Sequence, residues 1–397
     1  MSSTWVLWFW ILNVLILTGT MIIYPQEVFT AAVGGLNTWL TIVFPALLPF
    51  FVMSELMVGL GFVHFLGVLL EPLMRPVFNL PGSGGFVVAM GYTSGFPVGA
   101  MLTARLRTAR LCTQAEGERL VSFTNNASPL FIFVAVAVGM FHQPALGIWL
   151  AIVHYGINLL LGIALRFYRS REIEVKQCQP SENFSLQTAI KVMLEARRAD
   201  GRAIGQLLGD AIRTAVNNLL AIGGFIIVFA VLIRLLAVIG LLHLFSQSFA
   251  WGLIQFGIPA ELGNALATGF FEMTLGTKLA SETPPPLVNA AIAGAILGWS
   301  GLAIHAQIAA MISHTDIRLR AFVLTRLLHA FFSGLLLYFI LNHWSVLNPI
   351  TPVLAPASVT RGCISLGGLL KWNLLLTTLV MGLMLVGAGA CRSLQKK

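Results

Sequence analysis

The chain carries very little charge for its length. Asp, Glu, Lys and Arg make up 10% of its 397 residues, whereas hydrophobic residues make up 57%. A soluble domain carries about 25% charged residues. The sequence has no HExxH, GxSxG or Walker A motif, and the PGSGG run at Pro81–Gly85 lacks the Lys-Ser/Thr of a phosphate loop. We therefore expect a protein that is neither a soluble domain nor an enzyme, and that needs no cofactor.

Cysteine is also scarce. The chain has four cysteines, and they are Cys112, Cys178, Cys363 and Cys391. They are far apart and show no CxxC spacing, so they indicate neither a disulfide framework nor a zinc site. We expect no bound metal.

Long apolar runs recur along nearly the whole chain. About 20 apolar residues span a bilayer. The first run, Trp5–Ile23, has no Lys or Arg before it and no small-residue cleavage site after it. We interpret it as a retained spanning helix and not as a signal peptide. The lipid bilayer is therefore the first predicted partner.

The net charge of +9 is concentrated between the apolar runs. That distribution is typical of cytoplasmic loops, and it predicts a cytoplasmic C-terminus and no nucleic-acid partner. The basic clusters are Arg105–Arg119, Arg166–Arg202, Arg318–Arg326 and Arg392–Lys397.

Two local patterns predict helices near these loops. Thr113-Gln-Ala-Glu116 matches a capping box, in which the Thr and Glu side chains bond free amides at a helix start. In the basic loop, Leu186, Ile190, Met193 and Leu194 fall at helical spacing. This spacing predicts a short surface helix.

One stretch interrupts the apolar sequence where a spanning helix should continue. In MGYTSGFPVGAMLTARL, residues 90–106, three glycines, a proline, a threonine and a serine fall within nine positions. Arg75 precedes this stretch and Arg105 ends it, so we expect both ends on the cytoplasmic side and a re-entrant hairpin between them. The next segment, FTNNASPLFI at 123–132, contains Pro129, which removes a backbone donor and clashes with the preceding turn. It predicts a broken helix.

The second half of the chain repeats this plan. Three pairs of segments align in the same order. ELMVGLGFVHF from Glu55 aligns with RLLAVIGLLHL from Arg234, 179 residues later. GYTSGFPVG aligns with GFFEMTLGT from Gly269, and SPLFI aligns with SGLAI from Ser300. In our threading the two copies begin on opposite sides of the membrane, which makes an inverted repeat. In such transporters, paired interrupted segments meet near the midplane and form the solute site, because non-helical backbone is tolerated there only around protein or water.

The predicted fold is an all-α membrane protein: an inverted-repeat transporter with about eight spanning helices, two re-entrant hairpins and two broken helices. We divide the chain into an N-terminal spanning helix, a first repeat, a cytoplasmic basic loop, a second repeat, and a C-terminal part with an extracytoplasmic loop, the last spanning helix and a basic tail. The boundaries are 1–35, 36–168 (hairpin 83–104, broken helix 114–141, return helix 146–167), 169–204, 205–341 (hairpin 260–281, broken helix 286–312, helix 319–341) and 342–397.

Polar residues at the interruptions are the candidate solute-binding groups. Buried hydroxyl and amide groups in lipid need partners, and helix–helix hydrogen bonds are the alternative to solute. A tight turn is the alternative for the first tip. The candidates are Thr93, Ser94, Gly95, Asn125, Asn126, Ser128, Glu272, Thr274, Ser300, Gly301 and His305.

Glu272 is the most informative single residue. An ionisable group at membrane depth is a functional candidate by default, and we hypothesise that Glu272 carries a coupling proton. Lys278, about two turns further, is interpreted as snorkelling toward the outer face. Glu55 and Arg234 occupy equivalent positions in inverted copies, so we expect no direct pair between them.

The interrupted segments resemble a known family. SGFPVGA, EGERLVSFTNNASPLFI and GFFEMTLG are similar to segments of the YlbJ-type sporulation integral membrane proteins, in the nucleoside-recognition (Gate) superfamily, whose plan is like that of concentrative nucleoside transporters. The resemblance covers about Leu36 to Leu341, and its most specific part is the Asn-Asn-x-Ser-Pro block. It implies two hairpins and two broken helices around a central site. It also implies transport of dipicolinate across the outer forespore membrane.

From the residues and the resemblance we expect a membrane transporter of a small polar or anionic solute in a spore-forming bacterium. Two alternatives stay open: a permease for a nucleoside or another small solute, and a structural partner in the sporulation membrane that transports nothing. The oligomeric state is open, and a homo-oligomer is compatible with the sequence.

Overall fold

A computed structural model describes residues 2–169, 186–284 and 286–343. These residues form helices joined by short connections, without strands. Five helical stretches are long and apolar enough to cross a membrane: Pro25–Gly59, Pro144–Phe167, Ile204–Val238, Val288–Ile312 and Arg320–Leu341. The fourth of them is interrupted at Ser300. The predicted all-helical membrane class is confirmed, while the number of eight spans stays a prediction. The predicted last span, 366–390, lies outside the described residues.

The first half starts with a helical pair. Helix α1 spans Ser2–Ile23, and helix α2 spans Pro25–Gly59 with a π-helical stretch at Trp39–Val43. Helix α3, Phe62–Leu73, ends in a π-helical turn at Met74–Phe78. The chain thus enters the first interrupted segment from a helix of 12 residues, too short to span by itself.

The segment that contains the first interruption forms two short helices and a divided third element. Helices α4, Gly84–Ser94, and α5, Val98–Thr108, make the first hairpin. Helix α6, Gln114–Thr124, begins at the predicted capping box, since the Thr113 hydroxyl accepts from the Glu116 amide and the Glu116 carboxylate accepts from the Thr113 amide. The backbone then leaves the helix until α7, the π-helical Phe131–Met140. The broken helix predicted at 114–141 is therefore two separate pieces.

The remaining helices include a second hairpin followed by a second broken helix. They are α8 Pro144–Ala164, α9 Leu186–Asp200, α10 Ile204–Val238, α11 Leu241–Ile254, α12 Leu262–Phe271, α13 Met273–Glu282, α14 Pro286–Trp299, α15 Gly301–Ile312 and α16 Arg320–His343. Helices α12 and α13 form the second hairpin, α14 and α15 the second broken helix, and α9 is the predicted surface helix. One apolar core includes Ile132 and Leu150 of the first half with Leu219 and Ile296 of the second.

Local backbone conformation supports the internal repeat. The sequence alignment matches Gly61 with Gly240, and both residues precede a helix with left-handed φ values of 79° and 81°. Each is therefore a glycine at a position that disfavours a side chain. Both halves also place a non-helical break after their hairpin, at Asn125–Ser128 and at Ser300.

An ion pair and a hydrogen bond join the two halves of the chain. Arg107, at the end of the first hairpin, makes two bonds of 2.8 Å to the Asp316 carboxylate between α15 and α16. Glu118 accepts from the Arg169 side chain (3.0 Å) and from the Arg318 amide (3.3 Å). These contacts fix the first hairpin and α6 against the loop that follows the second broken helix.

The Arg107–Asp316 pair gives a pH-dependent contribution to stability. Hydrogen bonding to the Arg107 guanidinium lowers the pKa of the Asp316 carboxyl below its usual value. A carboxyl with a lowered pKa stabilises the folded state above its unfolded pKa, and this contribution is lost as the pH falls below about 4. We expect Asp316→Asn to lower the free energy of unfolding at neutral pH by less than about 1 kcal/mol, because the pair is partly exposed.

Thermal unfolding of the purified protein in detergent, measured from neutral pH to acid, checks this. The difference in Tm between wild type and Asp316→Asn should disappear in acid, and Glu282→Gln, at the exposed end of α13, should show no such change. A difference in Tm that stays constant with pH would contradict the role of the Asp316 charge.

Arg326 is a correction to the sequence interpretation. We grouped it with Arg318 and Arg320 in a basic cytoplasmic cluster, but it lies inside α16 and its side chain is 0% exposed. It sits six residues after the start of the helix, about 9 Å along the axis at 1.5 Å per residue. This buried cation faces the broken element of the first half.

Candidate functional site

The first hairpin packs directly on the first break. An alanine Cβ at Gly95, whose φ is 75°, would lie 2.8 Å from the Ser128 backbone nitrogen. The Asn125 side chain joins the same two elements, since its Oδ1 accepts from the Ala100 amide (2.9 Å) and its Nδ2 donates to the Val121 carbonyl (2.8 Å). The interruption in the hairpin therefore meets the interruption in the helix.

The second hairpin packs on the second break in the same manner. A Cβ at Gly301, whose φ is 77°, would lie 2.9 Å from the Met273 nitrogen and 3.1 Å from the Glu272 Cα. The Trp299 indole donates to the Phe270 carbonyl (2.9 Å), and the two rings stack at 5.3 Å. Glycine at the contact point lets the two backbones approach to a distance that a side chain would block.

Residues of both hairpin turns and of both broken helices line one pocket, whose empty space of about 540 Å³ includes space open to the surroundings. Its polar lining comes from the hairpins and broken helices, and its apolar wall comes from α2 and α10 on the other side. The polar lining residues are Ser94, Ser128, Glu272, Thr274 and Gln307. The apolar wall includes Val43, Leu47, Phe51, Ile222, Phe225 and Ile226. The four interrupted elements thus converge on a shared chamber.

The predicted candidates divide between the pocket and its surroundings. Ser94, Ser128, Glu272 and Thr274 line it. The other candidates are not among its lining residues. Some of them bond groups within the protein: Thr93 donates to the Ala89 and Met90 carbonyls, Asn125 accepts from the Ala100 amide, and the His305 Nδ1 lies 2.8 Å from the Gly301 carbonyl. The remaining candidates outside the lining are Gly95, Asn126, Ser300 and Gly301.

Two parts of the lining are not among the candidates. Gln307 belongs to the second broken segment, whose other polar residues supplied candidates, and it lies one turn after Ala303, which also lines the pocket. No sequence signal marks the lining residues of α2 and α10. Their segments look like any apolar spanning helix, so sequence alone cannot distinguish a side chain that faces the pocket from one that faces lipid.

Glu272 has a defined role in the backbone around the pocket. It is the N-cap of α13, and its Oε2 accepts from the Leu275 amide at 2.7 Å, while the residue is 3% exposed. A side-chain oxygen that accepts from a free amide caps a helix N-terminus, so this N-terminus is already capped by a group of the protein. Among the described residues that line the pocket, Glu272 is the only ionisable one.

The other charges near the second half also have partners. The Lys278 ammonium donates to the Thr38 hydroxyl of α2 at 3.3 Å, so it points to a neighbouring helix instead of snorkelling away. Arg234 pairs with Glu27 at 2.6 Å, and no direct pair with Glu55 occurs in the described part of the chain. Within that part, no group of three His, Cys, Asp or Glu side chains could hold a metal ion.

Comparison with known proteins gives the family. A family model described as Gate, nucleoside recognition, matches residues 40–154, the stretch from α2 through the first hairpin and the first break to α8. The chain is 47% identical over 335 residues to the sporulation integral membrane protein YlbJ of Bacillus subtilis (strain 168), an alignment that covers 84% of this chain and 81% of that protein. No solved structure gives a significant match. The chain therefore belongs to the family of the sporulation integral membrane protein YlbJ.

Proposed function

We propose that the protein carries a small polar or anionic solute across a sporulation membrane through the pocket between its two broken helices. The observation that carries this proposal is the convergence of both hairpin turns and both broken helices on one chamber. Non-helical backbone at membrane depth is tolerated where it lines a cavity, and paired broken elements hold the solute in inverted-repeat transporters. A purely structural membrane protein has no need for four interrupted elements around a pocket.

Dipicolinate is the solute that we propose, and the outer forespore membrane is the proposed location. This choice rests on the resemblance and on a relative that is named for sporulation. Ser94, Ser128, Thr274 and Gln307 offer hydrogen-bond donors around the pocket, and the apolar wall of α2 and α10 suits the faces of an aromatic ring.

A nucleoside is the second candidate because of the charge in the pocket. Glu272 lines the pocket, and no basic side chain does so among the described lining residues. A neutral solute meets no repulsion there, and the matching family model is described as nucleoside recognition. The two solutes therefore make opposite demands on the electrostatics of this site.

Flux measurements in proteoliposomes separate these functions. We expect the reconstituted protein to carry radiolabelled dipicolinate well above the rate of empty liposomes, with unlabelled dipicolinate competing and uridine not competing. Flux of labelled uridine in place of dipicolinate would establish the nucleoside alternative. If folded protein carries neither solute, the transport proposal fails in favour of a structural partner.

A further inference from the structure

Arg326 of α16 is a fully buried cation whose observed partners are all neutral. Its Nη2 donates to the Ser122 carbonyl (2.8 Å) and to the Asn158 Oδ1 (2.5 Å), and its Nη1 donates to the Asn125 carbonyl (3.1 Å). No carboxylate pairs with it among residues 2–169, 186–284 and 286–343. A buried charge is costly unless it is paired, so this guanidinium leaves a positive charge uncompensated beside the first break.

Several polar groups around Arg326 lack any hydrogen-bond partner within the described structure. Asn126, which follows the carbonyl that Arg326 holds, is 0% exposed, and neither its Oδ1 nor its Nδ2 has a partner. The same is true of the Arg326 Nε, the His154 Nδ1 and the His329 Nδ1. Native proteins satisfy roughly 90% or more of their buried polar groups. Unpartnered atoms on Arg326, on Asn126 beside its partner Asn125, and on the neighbouring rings of His154 and His329 therefore point to a bound group.

The hydrogen bonds assign the protons on the two histidines. The Ala127 amide donates to the His154 Nε2 at 3.3 Å, so the proton of neutral His154 lies on Nδ1. The His329 Nε2 donates to the His154 carbonyl at 2.9 Å, and the ring centroids are 4.5 Å apart. His154 therefore has a free N–H donor, as Arg326 and Asn126 do.

We infer that Arg326, Asn126 and His154 form a carboxylate-binding site behind the first break, separate from the lining of the pocket. The site offers a guanidinium Nε–H, an amide Nδ2–H and an imidazole Nδ1–H, and a carboxylate supplies two acceptor oxygens and the missing negative charge. Ala127 separates the two places, because its side chain lines the pocket while its amide bonds His154. A cation is excluded by the charge of Arg326.

This inference rests on the proposed function for the identity of the anion. It also explains how an anionic solute could be bound although the pocket lining has no basic side chain. Since the pocket lining contains an acid and no base, Arg326 supplies a buried positive charge that could recognise an anionic solute. The same guanidinium holds the Ser122 and Asn125 carbonyls at the end of α6, so an anion bound there would also act on the geometry of the break.

The test is ligand-induced thermal stabilisation of the purified full-length protein in detergent. The probes are dipicolinate, picolinate and the neutral dimethyl ester of dipicolinic acid, at equal ionic strength. We expect both carboxylates, and not the ester, to raise the Tm of the wild type. Asn126→Leu should keep or raise the unliganded Tm, because it removes an unpartnered buried amide at similar volume, and should weaken carboxylate binding by about tenfold or more, about 1.4 kcal/mol.

Two further variants complete the test. Asn126→Asp places a carboxylate of the protein beside Arg326, so it should raise the unliganded Tm and remove the response to both probes. Asn264→Leu, at an exposed asparagine of α12, should respond as the wild type does. The inference is overturned if the wild type responds to neither carboxylate, or if Asn126→Leu or Asn126→Asp keeps the wild-type response. Carboxylate binding that depends on Asn126, without solute flux, would support the site and contradict the transport proposal. Solute flux without binding that depends on Asn126 would support transport and contradict the site.

Discussion

Replacing Gly276 by alanine is expected to force apart the two arms of the second hairpin and to stop solute flux. An added Cβ would lie 2.2 Å from the Gly269 Cα, 2.4 Å from its nitrogen and 3.0 Å from the Ala265 carbonyl oxygen. These are backbone atoms of α12, so no side-chain rotation can relieve the contact. Overpacking of this kind costs about 1–3 kcal/mol, and the separation would also move Glu272, which connects the two arms.

The matched control is Gly224→Ala in α10, where an added Cβ meets nothing within 4 Å. Alanine is a better helix former than glycine by about 1 kcal/mol, so this variant should be as stable as the wild type or more stable. Thermal unfolding in detergent and flux in liposomes measure both effects. A Gly276→Ala protein with the Tm and flux of the wild type would show that the two arms do not lie in contact.

The interrupted elements could be predicted from sequence because their signals are local. The run of glycines around Gly95, Pro129 within an apolar stretch, and the capping box at Thr113–Glu116 each act through their own backbone, and the structure places a turn, a break and a helix start there. Repeat alignment then predicted that the two sets would come together. The pocket that they share is formed by tertiary packing, which local sequence patterns do not predict.

The burial of Arg326 among polar groups could not be predicted from the distribution of charged residues along the sequence. Arg326 lies near Arg318 and Arg320 along the chain, and the distribution of basic residues assigned all three to one loop. Helical spacing gives the missing information, because Arg326, His329 and Ser333 recur at intervals of three and four residues and all are buried. A stripe with this period marks one face of a helix, and here that face packs toward the first break.

The structure shows that one candidate solute-binding side chain has a use within the protein. Asn125 was a reasonable candidate, yet both ends of its amide are used in bonds that join α5 and α6. Asn126, the adjacent residue with the same chemistry, has no partner within the described part of the chain. Sequence cannot distinguish two adjacent asparagines, because the direction of each side chain depends on how the broken backbone turns.

Replacing Glu272 by glutamine is expected to remove the pH dependence of flux and to lower its rate by about tenfold, the effect of about 1.4 kcal/mol on a barrier. Glutamine keeps the length of the side chain and an oxygen that can accept from the Leu275 amide, so the N-cap of α13 is retained. The variant loses the ability to bind and release a proton and, with it, the charge of the ionised form. Under our hypothesis that Glu272 carries the coupling proton, solute movement then no longer responds to a pH gradient.

Uptake into proteoliposomes, measured at a series of external pH values, tests this hypothesis. Glu261→Gln is the matched control, since Glu261 lies at the start of the other arm of the same hairpin and is exposed. It should keep both the rate and the pH profile of the wild type. If Glu272→Gln keeps both the rate and the pH profile of the wild type, Glu272 does not carry the proton, and its buried side chain serves the cap of α13 alone. If only the rate falls while the profile stays, the charge of Glu272 matters for the solute but not for coupling.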